Sequence, residues 1–126
     1  MCIFLYRGDK MVTIKTNKDL YMTRGDDVYL EVEIRQRDFP YEVYEMEEGD
    51  TLYFTVRKYQ EEDVDENNPI LFQIVSDTNN IHIEPKYTET LSFSDYYYDV
   101  EFVSAAGEKN TIIGTNKLKL LSEVTY

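Results

Sequence analysis

The chain has 126 residues, a length that fits one domain with one hydrophobic core. Acidic residues outnumber basic ones 25 to 13, and the net charge of −12 argues against non-specific binding to nucleic acid or anionic membranes. A hydrophobic fraction of 42% is too high for a disordered acidic tail, and a single cysteine excludes a disulfide framework and a cysteine-based zinc site.

Residues 1–10 stand apart from the pattern that follows them. They open with a short apolar run, and charged residues follow from Arg7 onward. The run lacks the basic start and cleavage site of a signal peptide, and no stretch reaches the ~20 apolar residues of a membrane span. We expect residues 1–10 to be an arm or extension, residues 11–126 to be one domain, and the protein to stay in the cytoplasm where it is made.

Period-two alternation of apolar and polar residues recurs along the remaining chain. Successive side chains of a strand point to opposite faces, so each run predicts a strand with one face in the core. The runs lie at 12–14, 28–34, 52–56, 70–74, 81–83, 96–103 and 118–120, and a further strand at 111–113 follows a predicted loop at 105–110. The expected core contains Val28, Leu30, Val32, Leu52, Phe54, Val56, Tyr98, Val100 and Phe102.

Turn-forming residues separate the runs, among them Gly25 and Gly49, which supply the positive φ that turns demand. Seven to eight short strands in about 120 residues predict an all-β fold, with an immunoglobulin-like antiparallel β-sandwich as the default. A small barrel is the competing all-β interpretation. The best helical candidate is 87–93, preceded by Pro85, with two turns at most.

Two short motifs resemble binding sites, but we interpret each as an ordinary turn or loop. Arg-Gly-Asp occurs at 7–9 and at 24–26, where integrin binding would need an exposed loop tip on an exported protein. The second copy lies where a turn before a strand is expected. Asp63, Asp65 and Asn67 have the spacing of an EF-hand loop, but Asn68 and Ile74 stand where Gly and Glu are required. We interpret this segment as a solvated acidic hairpin loop.

Groups for catalysis are sparse, and the sequence predicts no enzyme, no cofactor and no metal site. His82 is the only histidine, and alternation with Ile81 and Ile83 places it on the solvent side of a strand. No second histidine is available for a Ser-His or Cys-His arrangement, and no glycine-rich phosphate loop is present. Among 25 acidic residues some carboxylates must lie close together, but nothing in the sequence singles out a pair of the glycosidase type.

The aromatic composition is more informative, with twelve tyrosines and no tryptophan. Tyrosine is favoured at interfaces because its ring buries apolar area while its hydroxyl keeps a hydrogen bond. Ordinary cross-strand packing on a sheet face is the alternative explanation. The predicted partner-contact residues are Tyr29, Tyr41, Tyr44, Tyr53 and Tyr97.

The negative charge is concentrated in the middle of the chain. Residues 26–50 contain ten acidic and two basic side chains, whereas residues 1–25 carry a net charge of +3. This asymmetry suits docking between complementary surfaces, although a solvated acidic face is the commoner cause.

Four stretches taken together resemble a known family. They are Thr23-Arg24-Gly25-Asp26 before an alternating strand, residues 49–58 with Phe54-Thr55-Val56-Arg57, residues 96–102 with Tyr98-Asp99-Val100, and the hairpin 107–113. Their order and spacing resemble the N-terminal domain of baseplate upper proteins and related tail or head-fibre proteins of phages of Gram-positive bacteria. The resemblance implies an immunoglobulin-like sandwich that joins other virion proteins as a homo- or hetero-oligomer, without catalysis. It implies a location in the virion, or in the host cytoplasm before assembly.

Two other functional classes stay open. An acidic inhibitor that mimics DNA would need one continuous carboxylate face and would bind a basic host protein. A carbohydrate-binding module would need a concave strip of coplanar tyrosines as stacking platforms, which makes carbohydrate a weaker candidate partner.

Overall fold

A computed structural model describes residues 2–7, 13–14, 19–35, 42–59 and 69–122. In this part the chain forms ten strands and one short helix. The elements are β1 (Cys2–Arg7), β2 (Thr13–Ile14), β3 (Leu20–Thr23), β4 (Val28–Arg35), β5 (Val43–Tyr44), β6 (Thr51–Arg57), β7 (Ile70–Ser76), β8 (Asn80–Ile83), α1 (Pro85–Thr88), β9 (Asp95–Val103) and β10 (Lys109–Leu121).

The strands form two sheets. In the four-stranded sheet, β4 pairs with β1 along one edge and with β8 and β5 along the other. The six-stranded sheet has the order β2-β3-β10-β9-β6-β7. Eight of these strands have four or more residues, and β2 and β5 have two each. The prediction of an all-β, sandwich-like fold is confirmed.

One strand pair departs from the antiparallel pattern. β3 and β10 run parallel, with Leu20 opposite Leu118 and Met22 opposite Leu120, while the other pairs are antiparallel. A parallel pair joins segments far apart in sequence, because a short hairpin cannot connect parallel strands. β3 therefore lies beside the last described strand.

The core lies between the sheets and follows the predicted alternation. In β9 the even-numbered residues are buried and the odd-numbered ones are partly exposed. Phe54 and Tyr98 stack across neighbouring strands with ring centroids 5.3 Å apart. All nine residues predicted for the core are buried: Val28, Leu30, Val32, Leu52, Phe54, Val56, Tyr98, Val100 and Phe102.

Several predicted element boundaries differ from the structure. The strands expected at 111–113 and 118–120 are parts of one strand, β10, whose pairing with β9 shifts register after Thr111 and again after Ile113. These shifts interrupt the alternation and explain why one strand gives two patterns. The helix is a single turn at Pro85–Thr88, so only its last two residues fall within the predicted segment 87–93.

Residues 2–7, expected to belong to an arm, form the edge strand β1, with Leu5 opposite Val32 and Ile3 opposite Ile34. Within the described ranges, the structure contains no helix with the length and hydrophobicity of a membrane span.

A buried carboxylate ties the two sheets together at one end. Asp50 precedes β6 and is 3% exposed. Its Oδ2 accepts hydrogen bonds from the Tyr44 hydroxyl of β5 at 2.6 Å and from the Glu47 backbone N–H at 2.8 Å. Its Oδ1 accepts one from the Ala105 N–H, beyond β9, at 2.9 Å. These donors, led by Tyr44, hold the pKa of Asp50 below its ordinary value of 3.8, and the same bond raises the pKa of Tyr44 to about 12.

We expect Asp50→Asn to lower the free energy of unfolding by about 1–3 kcal/mol at neutral pH, because an NH₂ group replaces an oxygen that accepts hydrogen bonds. The lowered pKa stabilises the fold above pH 3.8, and this contribution is lost as pH falls below that value. The difference between wild type and Asp50→Asn should therefore be full at pH 5–7 and shrink below about pH 4.

Urea denaturation at a series of pH values measures this difference. Asp26→Asn is the matched control, because Asp26 also follows a turn glycine but lies outside the buried set. An equal loss of stability in both variants would contradict the proposed role of Asp50.

Candidate functional site

The candidate functional site lies on the outer face of the six-stranded sheet. Because Leu52, Phe54 and Val56 point into the core, the alternate residues of β6 point outward, and β7 and β9 follow the same rule. We call the outward set the tyrosine face. It consists of Tyr53, Thr55, Arg57, Gln73, Tyr97 and Asp99.

A partly buried ion pair lies on the tyrosine face. Arg57 Nη1 donates to Asp99 Oδ2 at 3.1 Å, and the two side chains are 18% and 20% exposed. The Nε atom of Arg57 is buried and has no hydrogen-bond partner among the described residues. Burial is the main cause that raises the pKa of Asp99, and the Arg57 charge opposes it. Both charges have therefore lost much of their water before any partner binds.

The centre of the face contains a buried threonine, although it lies outside the core. Thr55 stands opposite Asp99 on one side and Gln73 on the other, and it is buried. Its hydroxyl accepts a hydrogen bond from the Gln73 amide at 2.9 Å. Tyr97 is opposite Arg57 and Tyr53 is opposite Glu101, so the two tyrosines lie about 13 Å apart along the strands and flank this centre.

The other predicted tyrosines lie elsewhere. Tyr29 is 48% exposed on the outer face of the four-stranded sheet and stacks on His82, with ring centroids 4.2 Å apart. Tyr44 donates its hydroxyl to Asp50 and packs edge-on against Phe102. Tyr41 lies outside the described residues. Of the four predicted contact residues that the structure describes, only Tyr53 and Tyr97 thus share a face.

The predicted solvent-side position of His82 is confirmed. Ile81 and Ile83 are buried, whereas His82 is partly exposed, with its Nε2 2.9 Å from Asp27 Oδ1. Its contacts are therefore with Asp27 and the ring of Tyr29 rather than with the core.

The second Arg-Gly-Asp motif forms a packed turn, as expected. The Arg24 guanidinium lies 4.0 Å from the centre of the Phe93 ring and donates to the Leu91 carbonyl. Gly25 has a φ of 83°, and its N–H donates to Thr88 Oγ1. Because two of its three residues make these contacts, the motif anchors the β3–β4 turn to the segment after β8. The acidic run with EF-hand-like spacing, residues 61–68, and the residues after Arg7 in the first Arg-Gly-Asp lie outside the described part.

A concave acidic site lies on the four-stranded sheet, where β8 and β5 leave a gap along β4. Its volume is about 370 Å³, and Glu31, Glu33 and Glu45 line it. Asn79 bridges the gap, because its carbonyl accepts from the Val32 N–H at 2.7 Å and its side-chain amide donates to the Val32 carbonyl at 2.8 Å. In the described ranges, no group of three or more His, Cys, Asp or Glu side chains is arranged to hold a metal ion.

Comparison with models of known protein families, and with curated protein sequences, finds no match to this chain. The function of the tyrosine face is therefore inferred from its own geometry.

Sequence reasoning identified the tyrosines of this face but missed Thr55, Arg57, Gln73 and Asp99. The alternation around Phe54, around Phe72 and around Val100 already placed them on outward positions of their strands. What the pattern lacked was the order β9-β6-β7, because cross-strand neighbours depend on which strands pair and in which register.

We expect Arg57→Gln to raise the pKa of Asp99 further above its ordinary value of 3.8, because burial remains while the neighbouring positive charge is lost. Titration of the side-chain carboxyl carbon by NMR measures this pKa. Lys86→Gln is the control, since it removes an exposed ion pair with Glu84, which does not include Arg57 or Asp99. An Asp99 pKa in Arg57→Gln at or below the wild-type value would refute this account of the ion pair.

Proposed function

We propose that this chain is a non-enzymatic structural component of a phage or prophage virion, and that it docks other virion proteins through the tyrosine face. The observation that carries the docking role is the dehydrated Arg57–Asp99 pair, flanked by Tyr53 and Tyr97. The sequence resemblance to phage baseplate and fibre attachment domains supports the virion assignment.

The composition of the face suits a protein interface. Tyr and Arg are enriched among residues that dominate binding energy, and these residues cluster where water is excluded. Removing charges from water is a major cost of burying them in an interface. At this face the fold has already met part of that cost, since Arg57 and Asp99 are about four-fifths buried in the chain alone.

Chemistry also limits what the partner presents at the centre of the face. The Arg57 side chain remains 18% exposed and its guanidinium only donates, so a carbonyl or carboxylate of the partner suits the part that is still accessible. A side chain that covers Thr55 should be apolar or small, because the Thr55 hydroxyl already accepts from Gln73. Away from the centre, the net charge of −12 favours a partner with basic residues around its contact surface.

The described residues favour neither alternative function. Carboxylates lie on both outer faces, with Glu31 and Glu33 on the four-stranded sheet and Asp95 and Glu101 on the six-stranded one. A DNA mimic would gather them on one face. The tyrosines of the tyrosine face flank a polar centre instead of forming the contiguous strip that stacks on a sugar chain.

We expect the double variant Tyr53→Ala/Tyr97→Ala to be depleted at least tenfold from purified phage particles, since truncating interface tyrosines of this kind costs about 1–2 kcal/mol each. Quantitative mass spectrometry of particles from cells that express each variant measures incorporation. Tyr29→Ala is the matched control, because Tyr29 is exposed on the opposite sheet.

If wild type, Tyr53→Ala/Tyr97→Ala and Tyr29→Ala are incorporated in equal amounts, the tyrosine face is ruled out as the docking surface. The virion assignment has its own test in the genes around the coding sequence. Portal, tape-measure or fibre genes nearby would support it, and a setting among metabolic genes without phage genes would overturn it.

A further inference from the structure

Among the described strands, β7 lies at one edge of the six-stranded sheet. In the described part of the chain it pairs with β6 alone. Its seven residues, Ile70-Leu71-Phe72-Gln73-Ile74-Val75-Ser76, include no charged residue and no proline. Proteins usually protect long edge strands with charges or proline, because unpaired backbone groups pair with any available strand. β7 lacks both kinds of protection.

The same edge carries the most exposed residues of the hydrophobic core. Phe72 and Ile74 are 9% exposed, more than any other residue of the buried hydrophobic core. Val75, on the opposite side of the strand from Phe72 and Ile74, is 57% exposed. Ile70, at the start of the strand, is 41% exposed. β7 therefore presents apolar side chains beside backbone groups that pair with no further strand among the described residues.

We propose that β7 pairs antiparallel with β7 of a second copy of this chain, about a twofold axis that passes through Gln73. The sequence of the strand is nearly symmetric about that residue. With Gln73 opposite itself, Phe72 lies opposite Ile74 of the second copy, and Leu71 lies opposite Val75. Aromatic and β-branched residues make favourable cross-strand pairs, and a twofold axis forms each pair twice.

The charge of the chain favours a contact that is limited to this uncharged strand. Two chains of net charge −12 repel each other over most of their surfaces, but no like charges meet across this strand pair. One strand buries less than the roughly 1,200 Å² of a stable interface, so the dimer is weak and reversible. Salt should strengthen it, because screening reduces the overall repulsion.

Pairing through β7 makes one continuous sheet from the two six-stranded sheets. Gln73 belongs to the tyrosine face, so the tyrosine faces of the two copies become neighbours on that sheet. The inference does not rest on the proposed function: a chain that dimerises without entering particles, and one that enters particles as a monomer, are distinguishable outcomes.

Sedimentation equilibrium of the full chain tests the proposal, with Gln73→Lys and Gln73→Glu as the decisive variants. Each places like charges opposite one another on the axis, so each alone should weaken dimerisation at least tenfold. An equimolar mixture of the two should restore it, because Lys then faces Glu. The wild-type dimer should strengthen between about 50 mM and about 500 mM NaCl. Leu121→Lys and Leu121→Glu are the controls, since Leu121 is exposed on an interior strand of the same sheet.

Cross-linking gives a second measurement that does not depend on a charged variant folding. Directly opposed residues of an antiparallel pair have Cα atoms about 4.5–5.5 Å apart, within disulfide range. Gln73→Cys in a Cys2→Ser background should form a covalent dimer under mild oxidation, and Leu121→Cys in that background should not. A wild-type chain that stays monomeric at both salt concentrations, Gln73 variants that dimerise as tightly as wild type, or equal cross-linking at both positions would each overturn the proposal.

Discussion

The Asp50 carboxylate is the constraint on which the sandwich depends at one end. Its three donors come from β5 in one sheet, from the turn before β6, and from the hairpin after β9 in the other sheet. A buried charge is costly unless it is fully hydrogen-bonded, so these segments must meet at one point. Gly49 shows how closely they meet, since a Cβ there would lie 2.8 Å from the Cβ of Ala105, and its φ is 94°. Glycine meets both requirements, because it has no side chain to clash and tolerates positive φ.

Because the two sheets enclose a common core, their remaining side chains form the two outer faces of the molecule. The four-stranded sheet exposes Tyr29 stacked on His82 and an acidic concavity beside Asn79. The six-stranded sheet exposes the tyrosine face, where neighbouring outward residues shield one another enough to bury Thr55. The faces differ because a wide sheet places outward side chains beside neighbours on both sides, whereas a narrow one leaves most of them beside solvent. Dehydration of the Arg57–Asp99 pair thus follows from its position on the interior strands β6 and β9.

The alternation of apolar and polar residues predicted core positions correctly, because which face of a strand a side chain takes depends only on its place in that strand. Ile81 and Ile83 mark the core side of β8, and His82 between them is placed without tertiary information. Local patterns cannot tell apart two sites that have the same sequence pattern but different contacts. Gly25-Asp26 and Gly49-Asp50 both precede a strand, yet only Asp50 receives a hydrogen bond from a tyrosine on the other sheet. Nothing in the sequence around either aspartate distinguishes them, because that donor is brought in by the packing of β5.

The sequence by itself determined the all-β class, the inward residues of the main strands, and the tyrosines that face outward. Each of these depends on the pleat of a single strand. Only the tertiary structure decided that β3 runs parallel to β10, that Arg57 meets Asp99, and that Tyr44 holds a buried carboxylate while Tyr53 and Tyr97 share a face. Strand order and register are set by the packing of segments far apart in the chain. A contact between two strands is therefore a property of the assembled sandwich, which no single segment encodes.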